Sequence, residues 1–147
     1  MSNHPIFSKS HLAVLASSVA VAGLAVGSGV AMATQSTVTL SGAQEVPAVT
    51  TSAKGAGTIS INADRTVSGT VTTSGVAGSM AHIHEAAAGK NGPVIIPLEK
   101  KGDNQWVVPA NAKLTDAQYK AYQAGDLYVN VHSDAHKGGE IRAQIKP

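Results

Sequence analysis

Four histidines are the only ones in the chain beyond residue 33, and they fall in two short stretches. The first reads Met80-Ala81-His82-Ile83-His84-Glu85 and the second Asn130-Val131-His132-Ser133-Asp134-Ala135-His136. In an extended segment His82 and His84 project from one face, roughly 6.5–7 Å apart along the strand, while Ile83 points the other way into a core. In the second stretch Val129 and Val131 are the core-facing pair, so Tyr128, Asn130 and His132 share the opposite face. His132 therefore leaves its strand on the non-core side, as His82 and His84 do, and the loop after it can fold His136 back. If the two strands meet, three or four imidazoles can converge on one ion at metal–nitrogen distances of about 2.0 Å.

His82, His84, His132 and His136 are accordingly the candidate metal ligands. Asp134, Glu85 and Glu140 are acidic neighbours able to accept from ring N–H groups. Met80 is read first as a packing residue, with a thioether ligand as its alternative. The chain has no cysteine, which excludes thiolate zinc, iron–sulfur and thiol chemistry. An all-imidazole site suits copper first and zinc second, since affinity in the divalent series favours Cu(II).

The elements that must position these residues are short, alternating and β-branched. Thr37–Leu40, Thr58–Ile61, Val67–Thr73, Gln105–Val108, Tyr128–His132 and Glu140–Ile145 read as strands. The apolar run 94–98 reads as a buried strand, residues 62–65 as a turn, and the small-residue stretch 74–79 as a loop before the first histidine motif. One helix is expected near 116–124. Thr115 with Gln118 forms a capping box, Leu114 and Tyr119 are placed as a hydrophobic staple, and Gly125 supplies the stop. Such a pattern predicts an all-β, antiparallel Greek-key or immunoglobulin-like β-sandwich or barrel with one short helix.

The N-terminus is of another kind. MSNHPIFSKSH is polar with one positive charge, Lys9, and Leu12 to Ala33 carries no charge. The stretch ends Ala31-Met32-Ala33, the small-x-small pattern that precedes signal-peptidase cleavage. Residues 1–33 are therefore expected to be a signal peptide and 34–147 one domain, periplasmic or secreted and free of the membrane after cleavage. A retained anchor is the alternative. Of eleven basic residues, setting Lys9 aside leaves ten against nine acidic ones in the domain. That near-balance, with no Arg/Lys stripe, argues against a nucleic-acid partner.

Leu40-Ser41-Gly42-Ala43-Gln44-Glu45-Val46-Pro47, Ala81-His82-Ile83-His84, Gly92-Pro93-Val94, Leu114-Thr115, Gly125 to His132 and Gly139-Glu140-Ile141-Arg142 carry a resemblance to the CHRD (chordin) domain over nearly all of 38–146. Departures are small: Ala48 stands where a second proline is usual, and Glu85 where glycine is common. The resemblance implies an immunoglobulin-like or related β-sandwich, of a kind found in bacterial exported proteins. It implies little about biochemistry.

The expected function is therefore built from the residues: an exported, non-enzymatic protein that captures, buffers or delivers copper, with another periplasmic protein as a further partner. An adhesion or interaction module without metal is the second reading. A redox enzyme is the third, since the HxH strand is locally similar to copper/zinc superoxide dismutases. Four histidines are too few for their two sites, and Arg142 reads as a solvated partner of Glu140. No nucleophile elbow or phosphate loop points to a hydrolase.

Overall fold

Alternation of β-branched residues with small polar ones sets the strands, and glycine, proline and asparagine set the turns between them. The computed structural model describes residue 1 and residues 33–147, so the expected signal segment lies outside the described residues except at its two ends. Nine strands follow: β1 (Thr34–Ser41), β2 (Lys54–Ile61), β3 (Val67–Ser74), β4 (Gly78–Glu85), β5 (Val94–Pro97), β6 (Glu99–Lys100), β7 (Gln105–Val107), β8 (Leu127–Ser133) and β9 (Ile141–Ile145). They form one sheet in the order β5-β4-β8-β9-β1-β2-β3-β7-β6, antiparallel at each pairing.

This sheet curls until its two ends nearly meet. The segment 94–100 pairs with β4 through β5 and with β7 through β6. Between them the amide of Leu98 donates to the carbonyl of Ala81, 2.9 Å away. One short piece of chain thus belongs to both edges, which leaves little open edge to template aggregation. The expected all-β antiparallel sandwich or barrel is the architecture found.

Inside lie the residues that alternation selects: Val38 and Leu40, Ile59 and Ile61, Ala81 and Ile83, Val129 and Val131, Ile141 and Ile145, with Trp106 among them. Strand β4 begins at Gly78, inside the stretch expected to be loop. A Cβ there would lie 2.9 Å from the Trp106 ring, so the small residue is what lets β4 run past the indole.

Strand β5 departs from its expectation. Only Ile96 is buried in it, and Val94 is 48% exposed. A four-residue strand at the seam buries one face, so a continuous apolar run does not imply two covered faces.

The single helix, α1 (Asp116–Ala124), has the expected bounds. Thr115 accepts from the Gln118 amide, the Gln118 side chain accepts from the Thr115 amide, and Gly125 closes the helix in the left-handed conformation. Such a box contributes about 1 kcal/mol. Tyr122 is buried and Tyr119 packs against the core, which makes α1 a structural cover for the sheet.

Candidate metal centre

Strands β4 and β8 are direct neighbours, and their register decides the site. Met80 pairs with His132, His82 with Asn130, and His84 with Tyr128. Residues facing each other across a ladder share a face, so the outer face of this pair carries all three histidines. Ala81, Ile83, Val129 and Val131 take the inner face and are buried there. The hydrophobic alternation that builds the core therefore also fixes the direction of the imidazoles.

That outer face is covered as well, and every residue of β8 is buried. The cover is the loop 86–93, pinned from below. Arg142 donates to the carbonyl of Lys90 at 2.8 Å, and Gln144 donates to the carbonyl of Ala86 at 2.8 Å. Asn91 in turn donates to the carbonyl of Val46 at 2.7 Å, tying this loop to the segment after β1. Tyr128 lies between Arg142 and His84. The guanidinium carbon of Arg142 sits 3.4 Å from its ring centroid, and the His84 ring stacks on it at 4.7 Å with 1° between the planes.

Nitrogen positions within the cluster follow from two backbone carbonyls. Nδ1 of His84 lies 3.0 Å from the Gly92 carbonyl oxygen, and Nδ1 of His132 lies 2.9 Å from that of Lys137. A carbonyl only accepts, so both Nδ1 atoms carry the proton and both Nε2 atoms carry a lone pair. Nδ1 of His82 lies 3.0 Å from Nε2 of His132 and is the donor of that pair. Nε2 of His84 is buried without a hydrogen bond of normal geometry, with the Asn130 side chain as the polar group acting on the ring. An orphaned buried acceptor costs about 1–3 kcal/mol, and a metal bond would remove that cost.

One nitrogen from each of His82, His84 and His132 lies within 4.8 Å of the others. Metal–nitrogen bonds of about 2.0–2.1 Å at tetrahedral angles would separate such atoms by roughly 3.3 Å. The widest pair would thus close by at most roughly 1.5 Å, within reach of imidazole torsions. The residues present fit a metal ion.

Their protonation fits too. His82 is pushed down to about pH 4 from 6.5, by burial first and then by the charges that His132 and His84 would carry. Burial also lowers His84, against the opposing pull of the Gly92 carbonyl and the Asn130 side chain. Neutral imidazole is the ligating form, and it is the form that this environment favours.

His136 stands apart from the three. It is half-buried in the turn after β8, where its amide donates to the Ser133 carbonyl at 3.1 Å. Its side chain lines a groove with Glu45, Pro47 and Gly139. None of the acidic neighbours Glu85, Asp134 and Glu140 groups with the three rings. Glu140 accepts from Thr51 and Ser133, and Asp134 is exposed. The acceptors expected to be carboxylates are backbone carbonyls instead, because the loops 86–93 and 133–139 close over the rings.

Arg142 is not a solvated partner of Glu140. It is 1% exposed and holds the covering loop. Met80 is half exposed, so packing is not its role. Tyr128, Gly92 and Lys137 take part although only the face of Tyr128 was readable from alternation. The Gly92-Pro93 pair marked a turn but not its carbonyl as an acceptor.

No curated protein and no solved structure matches the chain. A family model described as the CHRD domain matches residues 36–145, a span that contains the sheet's core and the four candidate histidines. The chain belongs to the CHRD domain family.

Proposed function

We propose that this chain is an exported metal-capture protein that holds copper, with zinc as the alternative, through His82, His84 and His132. The observation carrying the reading is the buried Nε2 of His84, which makes no hydrogen bond of normal geometry and stands beside two further imidazoles. Neutral side chains without a carboxylate or thiolate suit copper and zinc over magnesium or calcium. The charge-free segment ending Ala31-Met32-Ala33 supports export. Among the described residues no helix is long and apolar enough to cross a membrane.

CHRD domains are non-enzymatic modules, and binding is the role proposed here: buffering or delivery of the ion to another protein outside the cytoplasm. A centre of the copper/zinc dismutase type would need a second, zinc-holding site, and among the described residues one group of three ligands is found. The family membership also favours a second reading, in which the domain binds a protein and the histidines only pack. Calorimetric titration of the purified protein with Cu(II) and Zn(II) separates the two. Submicromolar, one-to-one binding that a His82→Ala/His84→Ala variant loses supports capture. No binding tighter than about micromolar supports the interaction module.

A further inference from the structure

Along β4 the side chains of residues 80, 82 and 84 leave the same face, and Met80 stands directly across the ladder from His132. Residues so paired have Cβ atoms about 4.5–5.5 Å apart. Met80 is 50% exposed, whereas His84 and His132 are buried. Residue 80 is therefore at the exposed end of the face that carries the three imidazoles, on a side chain with three rotatable bonds that can swing toward them. An isolated exposed methionine needs no explanation, but one directly opposite a candidate ligand and two residues from another has a position that chemistry can use.

The charge of the site points the same way. Among the described residues the acidic and histidine side chains close enough to share an ion are the three imidazoles alone; the buried carboxyl of Glu140 is taken up by Thr51 and Ser133, and that of Glu45 lies in the field of Arg142. Every available ligand is thus neutral and leaves the charge of a bound ion uncompensated. A buried guanidinium adds to this. Arg142 stacks on Tyr128, which stacks on His84, so a positive charge lies two ring layers from the ion, and the Glu45 carboxyl that shares its field is pushed toward the neutral form by burial. Repulsion in a low-dielectric setting penalises a doubly charged ion more than a singly charged one. Thioether sulfur, a soft ligand, selects Cu(I) over Zn(II).

The geometry points to a site for the cuprous ion, bound by His82, His84 and His132 with Met80 as the fourth ligand. This rests on the metal-capture reading above and adds the oxidation state and the sulfur. It gives an exported protein a means of telling copper from zinc, which imidazoles alone do poorly.

The test is an anaerobic competition of the purified protein against a chromophoric Cu(I) chelator, with Zn(II) titrated in parallel, for the wild type, Met80→Leu and His84→Gln. Met80 is exposed, so the leucine variant is expected to fold, and circular dichroism checks it. The proposal expects Met80→Leu to weaken Cu(I) by about tenfold or more, to leave Zn(II) within about twofold, and to abolish the sulfur scatterer in the copper X-ray absorption fine structure. His84→Gln should weaken both metals. Cu(I) binding that Met80→Leu leaves unchanged, with no sulfur scatterer in the wild type, overturns the methionine assignment while the three-histidine site stands. A wild type that binds neither metal overturns both.

Discussion

Nδ1 of His82 and Nε2 of His132, fifty residues apart in sequence, lie 3.0 Å from each other on the outer face of the β4–β8 ladder. The contact is diagonal across two strands, so no local spacing creates it; the register of the sheet does. Because Nδ1–H of His132 is committed to the Lys137 carbonyl, the proton between the two rings belongs to His82. If a metal binds His82 at Nδ1, that proton moves to Nε2, a tautomer change with no net charge released.

His132 and His136 lie four residues apart but are placed differently, and substitution should separate them. His132→Ala is expected to lower copper affinity by about a hundredfold, since it removes both a ligand and the partner of His82. His136→Ala should change it by less than about twofold. Equal losses in a competition titration would bring His136 into the site.

Arg142 should matter for stability first. Arg142→Met removes the bonds to the loop 86–93 and the stack on Tyr128, leaving carbonyls that the guanidinium had satisfied. A loss of about 3 kcal/mol in urea denaturation is expected. Metal affinity should fall with it, because the Gly92 carbonyl that orients His84 is carried by the same loop.

Gly92 is held to glycine by a close approach. A Cβ there would lie 1.8 Å from the Glu85 carbonyl oxygen, so Gly92→Ala must shift the backbone whose carbonyl accepts from His84. Copper affinity should drop about tenfold or more. Gly138→Ala, where a Cβ meets nothing within 4 Å, is the control and should leave affinity unchanged.

Two groups, the half-buried His82 and the buried Glu45, oppose each other in the pH dependence of the metal-free protein. Unfolded chain takes up a proton at His82 near pH 6.5, while the folded chain refuses it until about pH 4. Stability from this group is full above pH 6.5 and is lost as the pH falls through that window. Glu45 runs the other way. Burial raises its carboxyl to about 7 from 4.5, against the pull of Arg142, so its contribution is full below pH 4.5 and is lost as the pH rises through 7. Glu45→Gln should therefore steepen the acid loss seen in urea midpoints between pH 4.5 and 6.5. His82→Gln should expose the decline toward pH 7. Parallel profiles for both variants would refute these assignments.

Much of this was legible in the sequence because it is local. Alternation placed Ile83, Val129 and Val131 inward, and so set the faces of His82, His84 and His132. Thr115, Gln118 and Gly125 bounded α1 to the residue. What stayed hidden depends on the placement of loops. That Tyr128 and His132 lie beneath a cover follows from Arg142 and Gln144 gripping the loop 86–93, a contact more than fifty residues long in sequence. For the same reason His136 could not be told from a ligand, and the carbonyls of Gly92 and Lys137 could not be told from solvent-facing ones. Periodicity reports which face a side chain takes, not what later covers that face.

Whether the three imidazoles share an ion can be read from anomalous scattering at the copper absorption edge, using crystals of the copper-loaded protein. One strong peak is expected on the β4–β8 face, about 2.0–2.1 Å from a ring nitrogen of each of His82, His84 and His132. A peak elsewhere on the molecule, or a loaded protein with no peak among these three rings, would contradict it.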